Sequence, residues 1–452
     1  MFIRLTALGV TGCLLLAFAG CVPSSSSDAA PAPSAQPSAQ PSGGYLPFTE
    51  IALDAQQDLY ENFWDYDNNH IRMTFHGYKT ENSGRQVMIW EHAIKIFSMY
   101  TLWFALDDGD VVKTDIANKL ASQWEFMQRN FSHEQLTANF GGSPNIAVDD
   151  SGWGAMVYMI MYHITGDEYA LEVCKELVAG AYEYWKDGDT KNGLWYAHTP
   201  PSQGGDETTR FKSMSSVGLM YAALEYTLAT GDDSLLEDTL NVYNWTEENM
   251  LRDKVVTYEN GLQNGDSYTV TVTDNLYWMD FNVDRAGRTE LNGPADGTRP
   301  EVIQEAASVS CMFANTAMGA IHALLYELTG EEKYLTRAVE TLRAFNDSPH
   351  YNNNGVYVND RDAWANAMFI GPWVRRVLTL PGVTDFDRQR IYDTALSIAE
   401  HCRTEDGYWK PGWSGSSTWD PHSFPEQIMT SSTTVNMLTA AALLEKMDAE
   451  KT

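Results

Sequence analysis

Two adjacent aspartates, Asp149 and Asp150, are the residues whose type and position best suit catalysis. They open the run Asp-Asp-Ser-Gly-Trp, which leads into an apolar stretch typical of a buried helix. Cleavage of a glycosidic bond needs two carboxyl groups, one to protonate the leaving oxygen and one to attack the anomeric carbon or activate water. Where a loop turns into a helix, both side chains can enter one cavity. The positive helix end then stabilises one carboxylate, and that charge favours the protonated form of the other.

The same pair also has a purely structural interpretation. An aspartate before a helix is a common N-cap, which stabilises the helix without touching any substrate. Asp107-Asp108 and Asp232-Asp233 show that adjacent aspartates recur in this acidic chain. Residue spacing alone therefore leaves catalysis and helix capping both open.

Helices of two kinds alternate along the body of the chain. One kind is apolar nearly all round, which is typical of a buried helix, and the other has a single polar face. The buried kind is predicted near residues 87–106, 152–164, 214–229, 311–328, 364–379 and 431–447. The amphipathic kind is predicted near residues 50–64, 111–131, 168–186, 233–250, 333–346 and 387–402.

A repeated joint supports the pairing of these helices. Thr165-Gly166-Asp167, Thr230-Gly231-Asp232 and Thr329-Gly330-Glu331 each end a buried helix, and Asp108-Gly109-Asp110 is a degenerate copy. Glycine suits the left-handed turn that closes a helix, and an acid suits the start of the next one. Because such a unit cannot bury its apolar helix alone, the six units are expected to stack. We predict an all-α fold, an (α/α)6 toroid with the apolar helices inside, and an open superhelix is the alternative.

One stretch departs from the helical pattern. Val255 to Val283 contains alternating apolar residues and turn glycines, so a small β-hairpin insertion is predicted there.

The run from Asp149 to Trp153, followed by an apolar stretch and the run from Tyr162 to Tyr169, resembles the signature of glycoside hydrolase family 76. In that family an adjacent Asp-Asp opens an inner helix that ends in a Tyr-x-x-Thr-Gly-Asp joint. The resemblance covers most of residues 86–380. It implies an endo-acting α-1,6-mannanase that retains configuration, with Asp149 as nucleophile and Asp150 as acid/base. It also implies that Trp90, Trp153 and Lys212 bind the polysaccharide or oligosaccharide substrate. We expect neither a cofactor nor a metal ion, because no recognisable motif for either is present.

Other residues are weaker candidates for the same cleft. Glu91 and His92 lie in the first buried helix and Glu305 precedes the fourth, although hydrogen-bonded core or rim groups are the commoner role of such residues. The tryptophans best suited to stack on sugar rings lie in a Gly/Ser-rich loop: Trp409, Trp413 and Trp419.

The first residues predict export and a lipid anchor. Arg4 precedes an apolar run, Leu5 to Ala19, that is typical of a secretory signal and too short for an ordinary membrane-spanning helix. The run Phe-Ala-Gly-Cys ending at Cys21 resembles a bacterial lipobox, and a plain signal peptide is the alternative. We therefore expect a signal peptide at residues 1–20, a flexible tether at 21–44 with lipidated Cys21, and a catalytic domain at 45–452. Val22 favours the outer membrane of the cell envelope as the location.

Charge and cysteine usage narrow the function further. The 452 residues include 30 basic and 61 acidic ones, a net charge of −31, which argues against nucleic acid as a partner. We expect a monomer that contacts the membrane through the N-terminal lipid only. Cys174, Cys311 and Cys402 form neither a disulfide framework nor a metal-site spacing, so they are predicted to be buried apolar residues.

Three other functions suit a helical toroid. A sugar epimerase of the N-acylglucosamine 2-epimerase type uses histidine bases, but none of the ten histidines lies in a motif of that family. A surface glycan-binding protein with an inactive toroid is the second, and the intact aspartate pair argues against it. Unsaturated uronyl hydrolases are the third, and their anionic substrates suit an acidic surface less well.

Overall fold

The computed structural model describes residues 45–71, 89–137, 148–186, 211–258, 268–277, 280–283, 289–291, 312–348, 351–357, 367–415 and 427–451. Within them, outer and inner helices alternate along the chain, apart from a five-residue helix at His133–Thr137. The outer helices take odd numbers: α1 Pro47–Phe63, α3 Val111–Asn130, α5 Glu168–Lys186, α7 Leu236–Asn249, α9 Glu332–Asp347 and α11 Asp385–His401. The inner helices take even numbers: α2 Ile89–Ala105, α4 Val148–Thr165, α6 Gly218–Thr230, α8 Met312–Thr329, α10 Ile370–Pro372 and α12 Gln427–Ala449. The predicted (α/α)6 toroid is confirmed.

Burial distinguishes the two kinds of helix as the sequence predicts. Every residue of α6 from Gly218 to Thr227 is buried, and so is every residue of α8 from Met312 to Leu325. The outer helices bury one face only, as α9 does through Tyr334, Ala338 and Leu342. Apolar surface on both kinds of helix therefore joins one core, whose burial stabilises the ring.

The ring closes where the first and last helices meet. α12 packs against both α1 and α2. The Glu445 carboxylate accepts hydrogen bonds from the backbone N–H groups of Phe48 (3.0 Å) and Thr49 (3.1 Å) at the start of α1. These donors have no partner inside their own helix, so a carboxylate nearly 400 residues away in sequence caps α1.

The predicted joints have the expected geometry. Gly166, Gly231 and Gly330 are left-handed, with φ of 69°, 72° and 69°. Each donates its N–H to the carbonyl four residues back, at 2.8, 2.9 and 2.8 Å. In each joint the threonine hydroxyl accepts the N–H of the acid after glycine, at 3.2, 3.1 and 3.2 Å. The same turn therefore connects three inner helices to the outer helices that follow them.

The fifth inner helix is shorter than predicted. The sequence pattern predicts a helix at 364–379, but α10 ends at Pro372 and continues as a π-helical turn, Trp373–Val377. Leu378 donates its N–H to the carbonyl of Trp373, five residues back, at 3.2 Å. Pro381 then prevents the preceding residue from staying helical. Residues 361–366 lie outside the described residues.

The predicted β-hairpin is present, and part of the predicted segment belongs to a second sheet. β4 Leu251–Tyr258 pairs with β5 Tyr268–Tyr277 in an antiparallel hairpin. β6 Asp280–Val283 pairs instead with β3 Phe211–Ser213 and with β7 Thr289–Leu291. Two further antiparallel pairs have two residues in each strand: β1 Trp64–Asp65 with β2 His70–Ile71, and β8 Asn352–Asn353 with β9 Val356–Tyr357.

The cysteines that the structure describes are buried, as predicted. Cys174 and Cys402 are fully buried and unbridged, and burial raises the pKa of the Cys174 thiol. Cys311 lies outside the described residues. Among the described helices, none combines the length and the apolar character needed to cross a bilayer.

Candidate active site

The predicted catalytic pair lies in the first turn of inner helix α4. Asp149 and Asp150 are 9 % and 5 % exposed. The Asp149 Oδ1 atom accepts the backbone N–H of Asp150 at 3.0 Å. The first N–H groups of a helix lack partners inside it and point towards solvent or ligand, so this position favours negative charge. The structure therefore brings two carboxyl groups together at the positive end of a buried helix.

Two glycines bring the neighbouring inner helix close to this pair. A Cβ atom on Gly152 would lie 3.0 Å from the backbone nitrogen of Leu219, and one on Gly218 would lie 3.1 Å from the backbone of Gly152. α4 and α6 therefore approach backbone to backbone just after the aspartates. β3 and a 3-10 turn, Met214–Val217, lead directly into α6. Lys212 at the centre of β3 is thus in a strand that approaches the same end of the ring.

The β insertion is attached at this end as well. β6 pairs with β3, and Lys212 faces Phe281 in the register. The backbone N–H of Tyr277, at the end of β5, donates to Oδ1 of Asn315 at 3.0 Å. Asn315 lies in the first turn of inner helix α8. The end of the ring where the inner helices begin therefore carries both the aspartate pair and the inserted strands.

A second set of contacts fixes the Tyr277 side chain. Its hydroxyl donates to Glu247 of α7, lies 3.0 Å from Nε2 of His322 and accepts from Nη2 of Arg337 at 2.9 Å. Burial and the Arg337 charge hold the pKa of His322 well below its usual value, so this histidine is neutral. The network joins α7, α8 and α9 to the root of the insertion.

A layer of aromatic rings crosses the ring next to the aspartates. Trp153 stacks on Phe313 at 5.7 Å, and Phe313 stacks on Phe369 at 5.9 Å. Phe369 also contacts Tyr221 (5.3 Å) and Phe97 (6.3 Å). Trp153 is only 3 % exposed. The structure thus places this residue in the wall just after the aspartates, and its substrate-binding role stays a prediction.

The other predicted residues are distributed as follows. Trp90 and Glu91 lie in the first turn of α2, at the start of an inner helix like the aspartates. His92 is buried, and burial together with His70 and Lys95 lowers its pKa to about 3, so it is neutral at ordinary pH. The remaining candidates lie outside the described residues: Cys21, Glu305 and Trp419.

The prediction that Trp409 and Trp413 are platforms for sugar stacking is wrong. They are 3 % and 0 % exposed. The Trp409 indole N–H donates to Oδ2 of Asp58 at 2.9 Å, and that of Trp413 donates to Oγ1 of Thr434 at 3.1 Å. Buried indoles need a partner for the N–H as well as apolar contacts. Glycines and serines suggested an exposed loop, but both rings are part of the core.

The sequence pattern missed a charged cluster towards the other end of the ring. Glu225 of α6 is 4 % exposed and contacts Arg375 and Arg376 of the π turn. Burial alone would raise the pKa of Glu225, but the two guanidinium groups outweigh it and lower that pKa to about 2. Glu225 within the apolar run of α6 could have predicted this cluster, because a buried charge requires a partner of opposite charge. In the described part of the chain, no cluster of three or more His, Cys, Asp or Glu side chains could hold a metal ion.

The sequence matches no protein-family model and no curated protein. Comparison of structures shows that the fold is the helical toroid found in α-mannanases of glycoside hydrolase family 76. The α-1,6-mannanase of that family from Salegentibacter sp. HEL1_6 matches with a TM-score of 0.61, over 88 % of this chain and 99 % of that one, at 16 % identity. The family 76 α-mannanase of Bacteroides thetaiotaomicron matches with a TM-score of 0.63, over 89 % and 97 %, also at 16 % identity.

Two further matches bear on function. The Salegentibacter mannanase has also been solved as an inactive variant with asparagine at two consecutive aspartate positions, in complex with α-1,6-mannotriose. An unsaturated glucuronyl hydrolase specific for heparin matches less closely, with a TM-score of 0.55, over 89 % of this chain and 97 % of that one, at 11 % identity. The toroid is therefore common to hydrolases of neutral and of acidic glycans. The fold alone does not identify the substrate, which depends on the side chains of the site.

Proposed function

We propose that this protein is a glycoside hydrolase that cleaves α-mannan, acting within chains of α-1,6-linked mannose with retention of configuration. One observation carries the proposal: Asp149 and Asp150 lie buried and adjacent in the first turn of an inner helix. A mannanase with the same fold is inactive when two consecutive aspartates are replaced. The shared fold and the shared residue pattern together support the same chemistry in this chain.

The proposed mechanism assigns a different role to each aspartate. Asp149 attacks the anomeric carbon of a mannose unit while Asp150 donates a proton to the departing glycosidic oxygen. The C–O bond breaks, a covalent glycosyl-enzyme forms, and the shortened chain leaves. Asp150, now ionised, removes a proton from water, which attacks the same carbon and releases Asp149. The N–H groups at the start of α4 stabilise the carboxylate that is ionised at each stage.

Other groups at the same end of the ring would hold the substrate. We propose that Trp90, Trp153 and Lys212 line the subsites. Trp90 lies in the first turn of α2, Trp153 follows the aspartates in α4, and Lys212 lies in β3, which leads into α6. Asn315 holds the end of β5 at the start of α8, and β6 pairs with β3. The insertion would then limit how far a branched chain can approach the aspartates.

The test is a comparison of glycans with purified protein. Linear α-1,6-mannan should release reducing oligosaccharides of mixed length early in the reaction, since internal cleavage shortens chains before mannose accumulates. The first products should have the α configuration, measured by proton NMR, because two inversions restore the original centre. Cleavage of unsaturated uronides without cleavage of mannan would refute the proposal and favour the glucuronyl hydrolase alternative.

We also propose that the protein is a monomer of the cell envelope, held through lipid on Cys21. The supporting evidence is the lipobox-like run before Cys21 and the Ser/Pro/Ala/Gln-rich tether that follows it. Cys21→Ser should move the full-length protein from the membrane fraction to the soluble fraction of cells that export it. Unchanged membrane association of this variant would refute the anchor but not the catalytic proposal.

A further inference from the structure

The tyrosine that ends β5 is held from three directions. Tyr277 is fully buried, and its hydroxyl lies between outer helices α7 and α9 and inner helix α8. It donates to Glu247 of α7, accepts from Nη2 of Arg337 of α9 at 2.9 Å and lies 3.0 Å from Nε2 of His322 of α8. Arg337 also donates from Nε to the second oxygen of Glu247 at 2.8 Å. These four side chains form what we call the Tyr277 clamp.

Each hydrogen bond of the Tyr277 clamp has a defined donor. Burial and the Glu247 charge raise the pKa of Tyr277 well above its usual value, so the hydroxyl keeps its proton and donates it to Glu247. The hydroxyl oxygen must then accept from His322 as well as from Arg337, which places the ring proton of this neutral histidine on Nε2. Nδ1 is therefore an acceptor, and the Tyr243 hydroxyl donates to it at 3.1 Å. One bond donated and two accepted use the full capacity of the Tyr277 hydroxyl.

A network of this kind fixes a position more strictly than apolar packing does. Hydrogen bonds have preferred directions, and a fully satisfied network restricts the groups that it joins to one arrangement. Charges are costly to remove from water, so the ion pair between Glu247 and Arg337 is a weak source of stability. The Tyr277 clamp is therefore suited above all to hold the end of β5 in one place.

The end of β5 limits where β6 can lie. The backbone N–H of Tyr277 donates to Oδ1 of Asn315 at 3.0 Å, so its main chain and its side chain are both fixed to α8. β6 begins at Asp280, three residues later, and three residues of chain span at most about 11 Å. β6 in turn pairs with β3, where Phe281 faces Lys212. The Tyr277 clamp thus restricts the position of the strand that carries Lys212.

The same strand leads towards the aspartate pair. The 3-10 turn Met214–Val217 follows β3 and packs against both α4 and α8. It continues into α6, whose first residue, Gly218, lies against Gly152 of α4. The Tyr277 clamp belongs to β5, α7, α8 and α9, whereas Asp149 and Asp150 belong to α4. A shift of β6 would therefore move the Lys212 strand and leave the two carboxyl groups in place.

We infer that the Tyr277 clamp positions the Lys212 strand and thereby sets how strongly the protein holds a mannan chain away from the bond that is cleaved. The inference rests on the proposed function, in which Lys212 lines a subsite. Tyr277 is a positioning residue, because it is fully buried and acts through β6 and β3. Loss of its hydroxyl should weaken the use of polymeric mannan, which fills remote subsites, and spare a small aryl mannoside, which does not.

Tyr277→Phe tests the inference because it removes the hydroxyl and keeps the ring. The ratio of kcat/KM for linear α-1,6-mannan to kcat/KM for an aryl mannoside should fall at least about fivefold, mainly through a higher KM for mannan. In full-length Lys212→Ala protein, the same replacement should change this ratio by less than about twofold, because effects that share one route are not additive. Hydrogen exchange of the backbone amides in β3 and β6 should become at least about threefold faster in Tyr277→Phe.

Tyr243→Phe is the matched control. It removes a tyrosine hydroxyl from the other ring nitrogen of His322, but Tyr243 belongs to α7 rather than to the inserted strands. This variant should keep the substrate ratio and the exchange rates of the parent. Circular dichroism checks that each variant is folded. If Tyr277→Phe does not fold, Asn315→Ala decides, because it releases the Tyr277 backbone N–H and should lower the substrate ratio in the same way.

Several results would overturn the inference. They are an unchanged ratio in folded Tyr277→Phe, an equal loss on both substrates, the same loss in Tyr243→Phe, or full additivity with Lys212→Ala. Failure of both Tyr277→Phe and Asn315→Ala to fold would also overturn it, because the clamp would then serve the stability of the ring. If the parent cleaves neither substrate, the proposed function fails. Faster exchange of β3 in Tyr277→Phe would still support the positioning of this strand, and unchanged exchange would refute it.

Discussion

The inner helices begin at one end of the ring and finish at the other, and the two ends differ in chemistry. Free N–H groups collect where they begin, and that end has the carboxylates of Asp149 and Asp150. Free carbonyls collect where they finish, and that end has cations: Lys446 and Lys113 donate to the carbonyl of Leu106 at 2.7 and 3.1 Å. At these two places the charges match the helix dipole, because anions are favoured at helix N-termini and cations at C-termini.

The two ends also differ in how the chain turns. Compact Thr-Gly-acid joints connect helices where the inner ones finish, whereas strands β3 to β7 enter or leave where the inner ones begin. Tight joints restrict the backbone and leave little room for a substrate, while long connections can carry binding residues. The difference fits our proposal that the reaction takes place at the end with Asp149 and Asp150, while the other end stabilises the ring.

The largest expected effect is the loss of catalytic activity on replacing the aspartates at the end of the ring where the inner helices begin. Asp149→Ala and Asp150→Ala should each reduce turnover of linear α-1,6-mannan by several orders of magnitude. General acid–base catalysis alone contributes about 10²–10⁴-fold, and loss of the covalent step adds to this. Unfolding in urea should show that stability changes by only about 1 kcal/mol, the cost of a lost cap. An aryl mannoside with a good leaving group should partly restore Asp150→Ala but not Asp149→Ala.

Asp107 and Asp108 provide a matched control for this experiment. They are also adjacent aspartates, but they are exposed and follow the end of α2, an inner helix. Asp107→Ala and Asp108→Ala should keep the turnover of the parent. Near-normal turnover in the Asp149 and Asp150 variants would show that this pair merely caps its helix and that catalysis lies elsewhere, with Glu91 and Glu305 the next residues to replace.

The next effect concerns stability at the opposite end. Glu225→Gln should lower the free energy of unfolding by roughly 3–5 kcal/mol, because two largely buried guanidinium groups lose their shared carboxylate. Glu327→Gln is the control, since Glu327 pairs with Arg376 from a position that is 49 % exposed. It should cost at most about 1 kcal/mol. Similar small costs for both variants would contradict the assignment of Glu225 to the stability of the ring.

The pH dependence of that pair gives a somewhat smaller effect. The pKa of Glu225 is lowered from 4.5 to about 2 in the folded protein. A lowered folded pKa stabilises the protein above the unfolded pKa, and this stabilisation is lost as pH falls through the folded value. The difference in unfolding free energy between the parent and Glu225→Gln should therefore shrink by roughly 3 kcal/mol between about pH 5 and pH 2. A constant difference over this range would show that the charge of Glu225 contributes no stability.

Local sequence patterns predicted most of the fold. The 3.6-residue period located the helices, and the Thr-Gly-acid runs located their joints, because both depend on residues close together in the chain. The candidate catalytic pair, Asp149 and Asp150, was also recognisable from neighbouring residues in the sequence. That the pair lies in the first turn of α4, rather than before the helix, became clear only from the structure.

The features that the sequence did not predict depend on distant residues. Glu445 caps α1 from the far end of the chain, and Arg375 and Arg376 meet Glu225 across 150 positions. β6 pairs with β3 rather than with its neighbour β5. Trp409 is buried because Asp58 accepts its indole N–H. Composition predicts neither such partners nor the burial that they make possible.

The smallest effect tests the joints themselves, through Gly166, Gly231 and Gly330. A Cβ atom at each would meet nothing within 4 Å, so the cost of alanine comes from the left-handed backbone rather than from a clash. Gly166→Ala, Gly231→Ala and Gly330→Ala should each lower the free energy of unfolding by about 1–2 kcal/mol in urea.

Gly180 is the matched control for these three positions. It is exposed within outer helix α5, and a Cβ atom there also meets nothing within 4 Å, but its backbone is helical. Gly180→Ala should therefore raise stability by about 0.5–1 kcal/mol, the opposite sign. All four variants should hydrolyse mannan at the rate of the parent, because the joints lie at the end of the ring away from Asp149 and Asp150. A joint variant that stays folded but loses turnover would show that strain at one end reaches the other, and the division between a stabilising end and a reacting end would then fail.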